Sequence, residues 1–185
     1  MTALTIDEAG WLQTVEIVRS PNYDARPENV NIKLVVIHGI SLPPGEFGGE
    51  YIRQFFCNQL VASLHPYFAD ICDMQVSAHC LIERDGNIVQ FVSFLNRAWH
   101  AGVSSWRGEQ ACNNFSIGIE LEGTDELDYS EQQYQGLREL VDSLRSYFPD
   151  IGDDGICGHS DIAPGRKTDP GPAFDWSRLN GLQAS

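Results

Sequence analysis

The segment GHSDIAPGRKTDPGPAFDW, residues 158–176, concentrates ionisable side chains between glycines and prolines. Gly and Pro disfavour regular helix and strand, so we expect this segment to be a stiff loop. A stiff loop holds its side chains in fixed positions, which binding and catalysis require. The ionisable residues of the segment that could do chemistry are His159, Asp161, Arg166, Lys167 and Asp169.

Three residues have the side-chain types that bind zinc. His38 ends the apolar run KLVVIH, and His159 and Asp169 lie at the two ends of the loop. A catalytic zinc site takes three protein ligands and leaves one position for water. The alternative is that both histidines are core residues and that Asp169 caps a turn. Cys157 lies two residues before His159 and offers a thiolate, so spacing alone leaves the ligand set open.

Acid–base and electrostatic groups are also present. The run FSIGIELE alternates polar and apolar residues, which places Glu120 and Glu122 on one face of a strand. Either glutamate is a candidate general base if burial raises its pKa, and the alternative is the solvated face of an edge strand. Lys167, one of two lysines in the chain, is either an oxyanion-stabilising group or a surface charge.

The elements that position these residues are strands mixed with helices. The pattern predicts a mixed α/β fold in one domain over residues 1–185, with a central sheet flanked by helices. The predicted strands are 33–38, 115–122, a hairpin within 77–92 around Asp85-Gly86, and a short strand at GICGH. The predicted helices are 51–64 and 131–148, the second beginning after Ser130 and ending before Pro149.

Composition narrows the class of protein. The chain has 12 basic and 26 acidic residues, a net charge of −14, which disfavours nucleic acid and anionic membranes as partners. The N-terminal MTALTIDEAGWLQTV lacks the features of a secretory signal. Five cysteines without CxxC spacing suit free thiols in a reducing compartment, so we expect a cytoplasmic protein.

Six motifs together carry a family resemblance that spans residues 11–176. The chain resembles the zinc-dependent N-acetylmuramoyl-L-alanine amidases, a family shared by phage lysozyme-amidases and peptidoglycan recognition proteins. The resemblance implies a zinc hydrolase that cleaves the amide between the lactyl group of (1,6-anhydro-)N-acetylmuramic acid and L-alanine of the stem peptide. Its substrate would be a small anhydromuropeptide from peptidoglycan recycling. The motifs are VIHGISLPPGEFGG, HPYF, VSAHCLIERDG, RAWHAGVS, CNNFSIGIELEGTD and IAPGRKTDPGPAFDW.

The resemblance assigns roles to five residues of this sequence. His38, His159 and Asp169 match the zinc ligands of the family. Glu120 matches the glutamate that acts as general acid and base, and Lys167 matches the lysine that stabilises the oxyanion. By the same resemblance Cys157 is not a ligand.

Further residues receive substrate-binding or supporting roles. Tyr67 matches a tyrosine near the zinc, and Trp99 lies in the segment expected to form the sugar side of the cleft. Arg166 offers a guanidinium fork to a carboxylate of the peptide. His79 and His100 are expected to have structural roles or to support the metal-binding residues, rather than to bind the metal.

Two positions depart from the family pattern. Relatives commonly carry Asn where this chain has Gly39, and Glu where it has Gly165. Neither change removes a ligand, although loss of an amide beside the metal would weaken a substrate hydrogen bond.

Two rival functions remain at this point. The first is a binding module that recognises peptidoglycan without cutting it, and such modules typically lose a zinc ligand. The second is a lytic amidase that acts on intact cell wall, a function that suits a basic or exported protein better than one with a pI near 4.5.

Overall fold

A six-stranded mixed β-sheet forms the centre of the computed structural model, which describes residues 4–179. Two short two-stranded sheets lie beside it. The six strands of the main sheet are β1 Glu16–Ile17, β3 Leu34–Ile40, β4 Cys80–Ile82, β5 Ile88–Gln90, β9 Ser116–Glu122 and β10 Ile156–Gly158. The small sheets pair β2 Tyr23–Ala25 with β6 Asn96–Ala98, and β7 Ser105–Trp106 with β8 Glu109–Gln110.

The main sheet has the strand order β1-β5-β4-β9-β3-β10. Strand β3 is parallel to both of its neighbours, β9 and β10, and β4 is parallel to β9. Only β4 and β5 pair antiparallel within this sheet, as a hairpin. Parallel strands end at the same edge of a sheet, so the carboxyl ends of β3, β9 and β10 lie together. In this register His38 is the direct neighbour of Glu120.

Within residues 4–179, four α-helices and three 3₁₀ turns accompany the sheet. Helix α3 begins with a capping box: Ser130 Oγ accepts a hydrogen bond from the Gln133 backbone N–H, and Gln133 Oε1 accepts one from the Ser130 N–H. The α-helices are α1 Tyr51–Phe56, α2 Phe68–Ile71, α3 Glu131–Tyr147 and α4 His159–Ile162. The 3₁₀ turns are Ala62–Leu64, Cys112–Asn114 and Trp176–Leu179.

The sheet separates two layers of different character. Helix α3 packs on one face, where its fully buried side chains contact apolar side chains of β3 and β9. The other face carries α1 and α2 over a second apolar cluster, and there the polar side chains of β3 and β9 also lie. Leu137, Leu140, Val141 and Leu144 represent α3 in the first layer, and Val35, Ile37, Ile117 and Ile119 represent the strands.

Most predicted elements are confirmed, and so is the mixed α/β fold. The hairpin, the long strand β9, helix α3 and the short strand β10 lie where the sequence placed them. Gly86 adopts a φ of +88°, the positive value for which the turn needs glycine. The single domain over residues 1–185 extends beyond the described residues at both ends and stays a prediction. Within residues 4–179, no helix is long and apolar enough to span a bilayer.

The predicted helix 51–64 is wrong in length, because α1 ends at Phe56. The side chains of Ser20 and Asn22 donate hydrogen bonds to the Phe56 carbonyl, at 2.5 and 3.2 Å. Asn58 then takes a left-handed φ of 58°, which ends the helix. Hydrogen bonds from two side chains that are distant in sequence therefore accompany the end of the helix, which comes earlier than the apolar periodicity predicts.

Candidate active site

His38, His159 and Asp169 bring three metal-binding atoms together at the carboxyl edge of the sheet. The two Nδ1 atoms are 2.9 Å apart, and Asp169 Oδ2 lies 3.2 Å from Nδ1 of His38 and 3.1 Å from Nδ1 of His159. Both imidazoles are buried and the carboxylate is half-buried. We call this set the metal triangle.

Local sequence explains how the triangle forms. His38 is in β3 and His159 is the first residue of α4, directly after β10, so the parallel pairing of β3 with β10 brings both to one edge. The side chain of Asp161 accepts a hydrogen bond from the Gly158 N–H, which fixes the turn into α4. The Ser160 N–H donates to the Asp169 carbonyl, which returns the loop to α4.

The hydrogen-bond pattern fits a metal cation in the triangle. Nε2 of His159 lies 3.2 Å from the carbonyl oxygen of Ala101, so in the neutral ring Nε2 carries the proton. Nδ1 then presents a lone pair to the Asp169 oxygen, and two acceptors at 3.1 Å repel each other unless a cation lies between them. Tetrahedral zinc with bonds of ~2.0–2.1 Å separates its ligand atoms by about 3.3 Å, close to the distances found here.

The pKa values of His38 and Asp169 are shifted in directions that suit metal binding. Burial lowers the pKa of His38 to about 4, so its ring is neutral at neutral pH. Burial alone would raise the pKa of Asp169, but contacts with the rings of His159 and His38 outweigh it and lower this pKa below the usual range. A neutral His38 imidazole and an ionised Asp169 carboxylate are protonation states in which these side chains can bind zinc.

Glu120 lines the same cleft as the metal triangle. Its strand β9 lies between β4 and β3, so the alternative of a solvated edge strand is wrong. The side chain is buried, and its Oε2 has no hydrogen-bond partner within the described part of the chain. Burial raises the pKa of Glu120 well above its usual value, the charge of Asp169 raises it further, and Lys167 partly offsets both. A carboxyl group with a raised pKa holds a proton more readily, which suits a group that takes and returns a proton.

Glu122 is also buried, but its carboxylate oxygens accept hydrogen bonds from the backbone. Its Oε1 accepts a hydrogen bond from the Gly48 N–H at 2.6 Å, and its Oε2 accepts one from the Arg84 N–H at 3.2 Å. Glu122 therefore fastens the 41–50 loop and the β4–β5 hairpin to the sheet. Of the two glutamates, Glu120 alone lines the cleft.

The triangle lies in a cleft of about 610 Å³, a volume that suits a small-molecule substrate. Glu120 and Lys167 line the cleft together with the three triangle residues. Tyr67 lies on its rim with 40% of its surface exposed. The apolar residues that line the cleft include Leu42, Pro44, Phe55, Phe56, Ile71, Met74 and Val76.

Two predicted substrate-binding residues lie outside the lining of this cleft. The Trp99 backbone N–H donates to Ser77 Oγ at 3.1 Å. Arg166 uses Nη2 to donate to the carbonyls of Ala101 and Val103, at 2.6 and 2.7 Å. Contacts of Trp99 and Arg166 with substrate stay predictions.

The remaining candidates, Cys157, His79 and His100, lie outside the lining of the cleft. Cys157 lies in an apolar cluster, burial raises its pKa to about 12, and it is not part of the metal-binding group found among residues 4–179. His79 is satisfied by backbone, because its Nδ1 accepts from the Gly118 N–H and its Nε2 donates to the Asn96 carbonyl. His100 contacts His38, with 2.9 Å between its Nδ1 and Nε2 of His38.

Tyr129 is a supporting residue that sequence reasoning missed. Tyr129 is buried behind the sheet and donates a hydrogen bond to the carbonyl of Pro170, the residue after Asp169. A Cβ at Gly39 would lie 2.5 Å from the Tyr129 hydroxyl, so the small residue leaves room for this bond. Gly165 has a φ of +76°, which favours glycine over other residues. No pattern around Tyr129 signalled this role.

Comparisons with known proteins agree with this geometry and with the predicted family. Residues 28–172 match the family model described as N-acetylmuramoyl-L-alanine amidase. The 1,6-anhydro-N-acetylmuramyl-L-alanine amidase AmpD of Citrobacter freundii is 55% identical over 179 residues, which are 97% of this chain and 95% of that protein. A crystal structure of a selenomethionine derivative of AmpD superposes with a TM-score of 0.93 at 54% identity, covering 97% of this chain and 99% of that one.

A more distant solved structure contains a ligand. It is the complex of the Escherichia coli amidase AmiD with anhydro-N-acetylmuramic acid-L-Ala-D-γ-Glu-L-Lys, at a TM-score of 0.62 and 27% identity, covering 96% of this chain and 65% of that one. From the family match and the near full-length identity to AmpD, the chain belongs to the N-acetylmuramoyl-L-alanine amidase family.

Proposed function

We propose that this protein is a zinc-dependent amidase that releases the stem peptide from 1,6-anhydro-N-acetylmuramic acid by hydrolysing the lactyl–L-alanine amide. The observation that carries the proposal is the metal triangle, which shares one cleft with Glu120, whose Oε2 has no hydrogen-bond partner among residues 4–179. The names of the AmpD relatives and the ligand of AmiD support the choice of substrate.

The metal would be held by His38, His159 and Asp169. Two imidazoles with one carboxylate form a ligand set of catalytic zinc, and three protein ligands leave a position for water or substrate. Zinc in such a site is a Lewis acid that activates water and polarises a carbonyl group.

Glu120 and Lys167 do the remaining chemistry. Glu120 takes one proton from the attacking water as the new carbon–oxygen bond forms, and later gives it to the nitrogen of L-alanine as the carbon–nitrogen bond breaks. The Lys167 ammonium, at the mouth of the cleft, attracts the negative charge that develops on the carbonyl oxygen. The products are a free lactyl carboxylate and a peptide amine, so one water is consumed for each bond.

Three further residues have proposed contacts with substrate. The exposed Tyr67 ring lies at the cleft rim, where it would pack against the ligand. Trp99 would contact the sugar from the neighbouring segment. Arg166 would reach a peptide carboxylate while Nη2 keeps its bonds to Ala101 and Val103.

We further propose that the reaction takes place in the cytoplasm as part of peptidoglycan recycling. The five cysteines are unpaired, which suits a reducing compartment. The net charge of −14 opposes binding to a polyanionic wall and leaves Lys167 and Arg166 as a local attraction for a small acidic peptide.

Mass spectrometry of a purified anhydromuropeptide, before and after incubation with zinc-loaded protein, tests the proposal. We expect the substrate to be replaced by the anhydro sugar and the intact peptide, and metal-stripped protein to leave it unchanged. Intact sacculi at equal bond concentration, at low and high salt, form the second arm. Binding without cleavage would indicate a recognition module, and faster cleavage of sacculi at both salts would indicate a lytic enzyme.

A further inference from the structure

Two adjacent residues lie behind both histidines of the metal triangle. Nδ1 of His100 is 2.9 Å from Nε2 of His38, and the carbonyl oxygen of Ala101 is 3.2 Å from Nε2 of His159. The outer nitrogen of each ring therefore faces the same short segment. We call His100 and Ala101 the support segment.

The support segment is itself held by one side chain. Asn113 Oδ1 accepts hydrogen bonds from the backbone N–H of His100 at 3.2 Å and from that of Ala101 at 2.8 Å. Two N–H donors on one atom identify that atom as the amide oxygen. Asn113 lies in the 3₁₀ turn Cys112–Asn114 and is absent from the lining of the cleft.

The His100 ring also has close contacts with strand β9. Nε2 of His100 is 3.1 Å from Ser116 Oγ on β9. A Cβ at Gly118 would lie 2.4 Å from Cγ of the ring, so the ring occupies the space that a side chain at this position would take. The ring therefore has little freedom to move away from His38.

We infer that the support segment sets both imidazoles with Nδ1 towards Asp169, and that Asn113 is the positioning residue that holds this segment. When Nδ1 of His38 binds a metal, its Nε2 must carry the proton and needs an acceptor, which is Nδ1 of His100. His100 then donates from Nε2 to Ser116. Ala101 does the same for His159 through its carbonyl, so one segment fixes the orientation of both ligands.

This inference rests on the proposed zinc site, and zinc affinity is its main readout. Loss of an outer partner of a metal-binding histidine weakens metal affinity roughly 10–100-fold. We expect Asn113→Ala to weaken zinc affinity by about tenfold or more, measured by competition with a chelator. Asn113→Asp keeps an acceptor oxygen and should restore most of the affinity.

Asn114→Ala is the matched control. Asn114 lies in the same turn, but its side-chain oxygen accepts from Arg97 rather than from the support segment. It should bind zinc as the wild type does. Equal zinc affinity in Asn113→Ala and wild type, or equal weakening in Asn114→Ala, would overturn the inference.

A second pair of variants covers the case in which Asn113→Ala does not fold, as judged by melting of the metal-free protein. His100→Asn places an acceptor oxygen where Nδ1 was, and His100→Leu keeps bulk but offers no acceptor. The expected order of zinc affinity is wild type, then His100→Asn, then His100→Leu, and equal affinity of the two variants contradicts the inference. A wild type that binds no zinc overturns the inference and the proposed metal site together. A wild type that binds zinc but cleaves no muropeptide overturns only the proposed function.

Discussion

Replacing Glu120 by Gln should make the metal-free protein more stable while it abolishes turnover. The carboxyl group is buried, and its Oε2 has no partner within residues 4–179. Its folded-state pKa lies well above the ordinary 4.5, so ionisation is harder in the folded chain than in the unfolded one. The charged form of Glu120 therefore reduces stability, and a neutral amide of the same shape removes that cost.

The sign and size of the effect depend on pH. Below the unfolded pKa of 4.5 Glu120 is protonated in both states, so the substitution should change little. As pH rises through the folded pKa, the wild type loses about 1.4 kcal/mol for each unit by which that pKa is raised. For a chain of this length, each kcal/mol corresponds to roughly 2–4 °C, so each unit of pKa is worth about 3–6 °C in Tm.

Thermal melts of chelator-treated wild type and Glu120→Gln across pH 5–8 measure this difference. Histidine titration is common to both proteins, so the difference in Tm isolates Glu120. The difference should grow with pH, and turnover of the zinc-loaded variant should fall by about a hundredfold or more. A lower Tm for the variant, or a difference that does not change with pH, would refute the reasoning.

Glu122→Gln is the matched control and should change Tm in the opposite direction. Glu122 lies two residues further along β9 and is as buried, but both its oxygens accept backbone hydrogen bonds, from Gly48 and Arg84. An amide keeps one acceptor oxygen and turns an N–H₂ towards the other donor. Loss of one hydrogen bond to a charged group, about 1.5–3 kcal/mol, should lower Tm by about 3–12 °C.

Three further predictions concern the metal and its supports. His38→Ala and Asp169→Ala should each lose zinc and the stability linked to it, whereas Cys157→Ser should retain zinc. Metal analysis of the purified proteins measures the zinc content. Full zinc occupancy in either alanine variant would exclude the replaced residue as a ligand. Lys167→Ala should keep zinc and its fold but lose about a hundredfold in turnover, measured by steady-state kinetics with metal content alongside. Tyr129→Phe leaves the Pro170 carbonyl unpaired, so Tm should fall by roughly 2–8 °C for a loss of ~1–2 kcal/mol; an unchanged Tm would show that the bond contributes nothing.

Sequence reasoning succeeded where chemistry is local. Ser130 and Pro149 bounded α3, and Asp85-Gly86 marked the hairpin, because caps and turns depend on near neighbours in the chain. The residues of the metal triangle came from a family resemblance, since spacing alone left Cys157 open. The structure then distinguishes them by position: the triangle residues converge, and Cys157 packs among apolar side chains.

The sequence could not predict contacts between distant segments. The end of α1 depends on Ser20 and Asn22, more than 30 residues before Phe56. The different tasks of Glu120 and Glu122 depend on which loops cover β9, although both glutamates have the same place in the alternation. The role of Asn113 depends on two backbone N–H groups that no motif reveals.

The spacing of the metal-triangle residues along the chain has a consequence for biosynthesis. His38 and His159 are 121 residues apart, and β3 gains its neighbours β9 and β10 only from the later part of the chain. A chain is synthesised from its N-terminus, so the second proposed ligand, His159, is made 121 residues after His38. At the proposed zinc site, therefore, the metal could not join its ligands in an early folding intermediate that contains β3 but not yet β10.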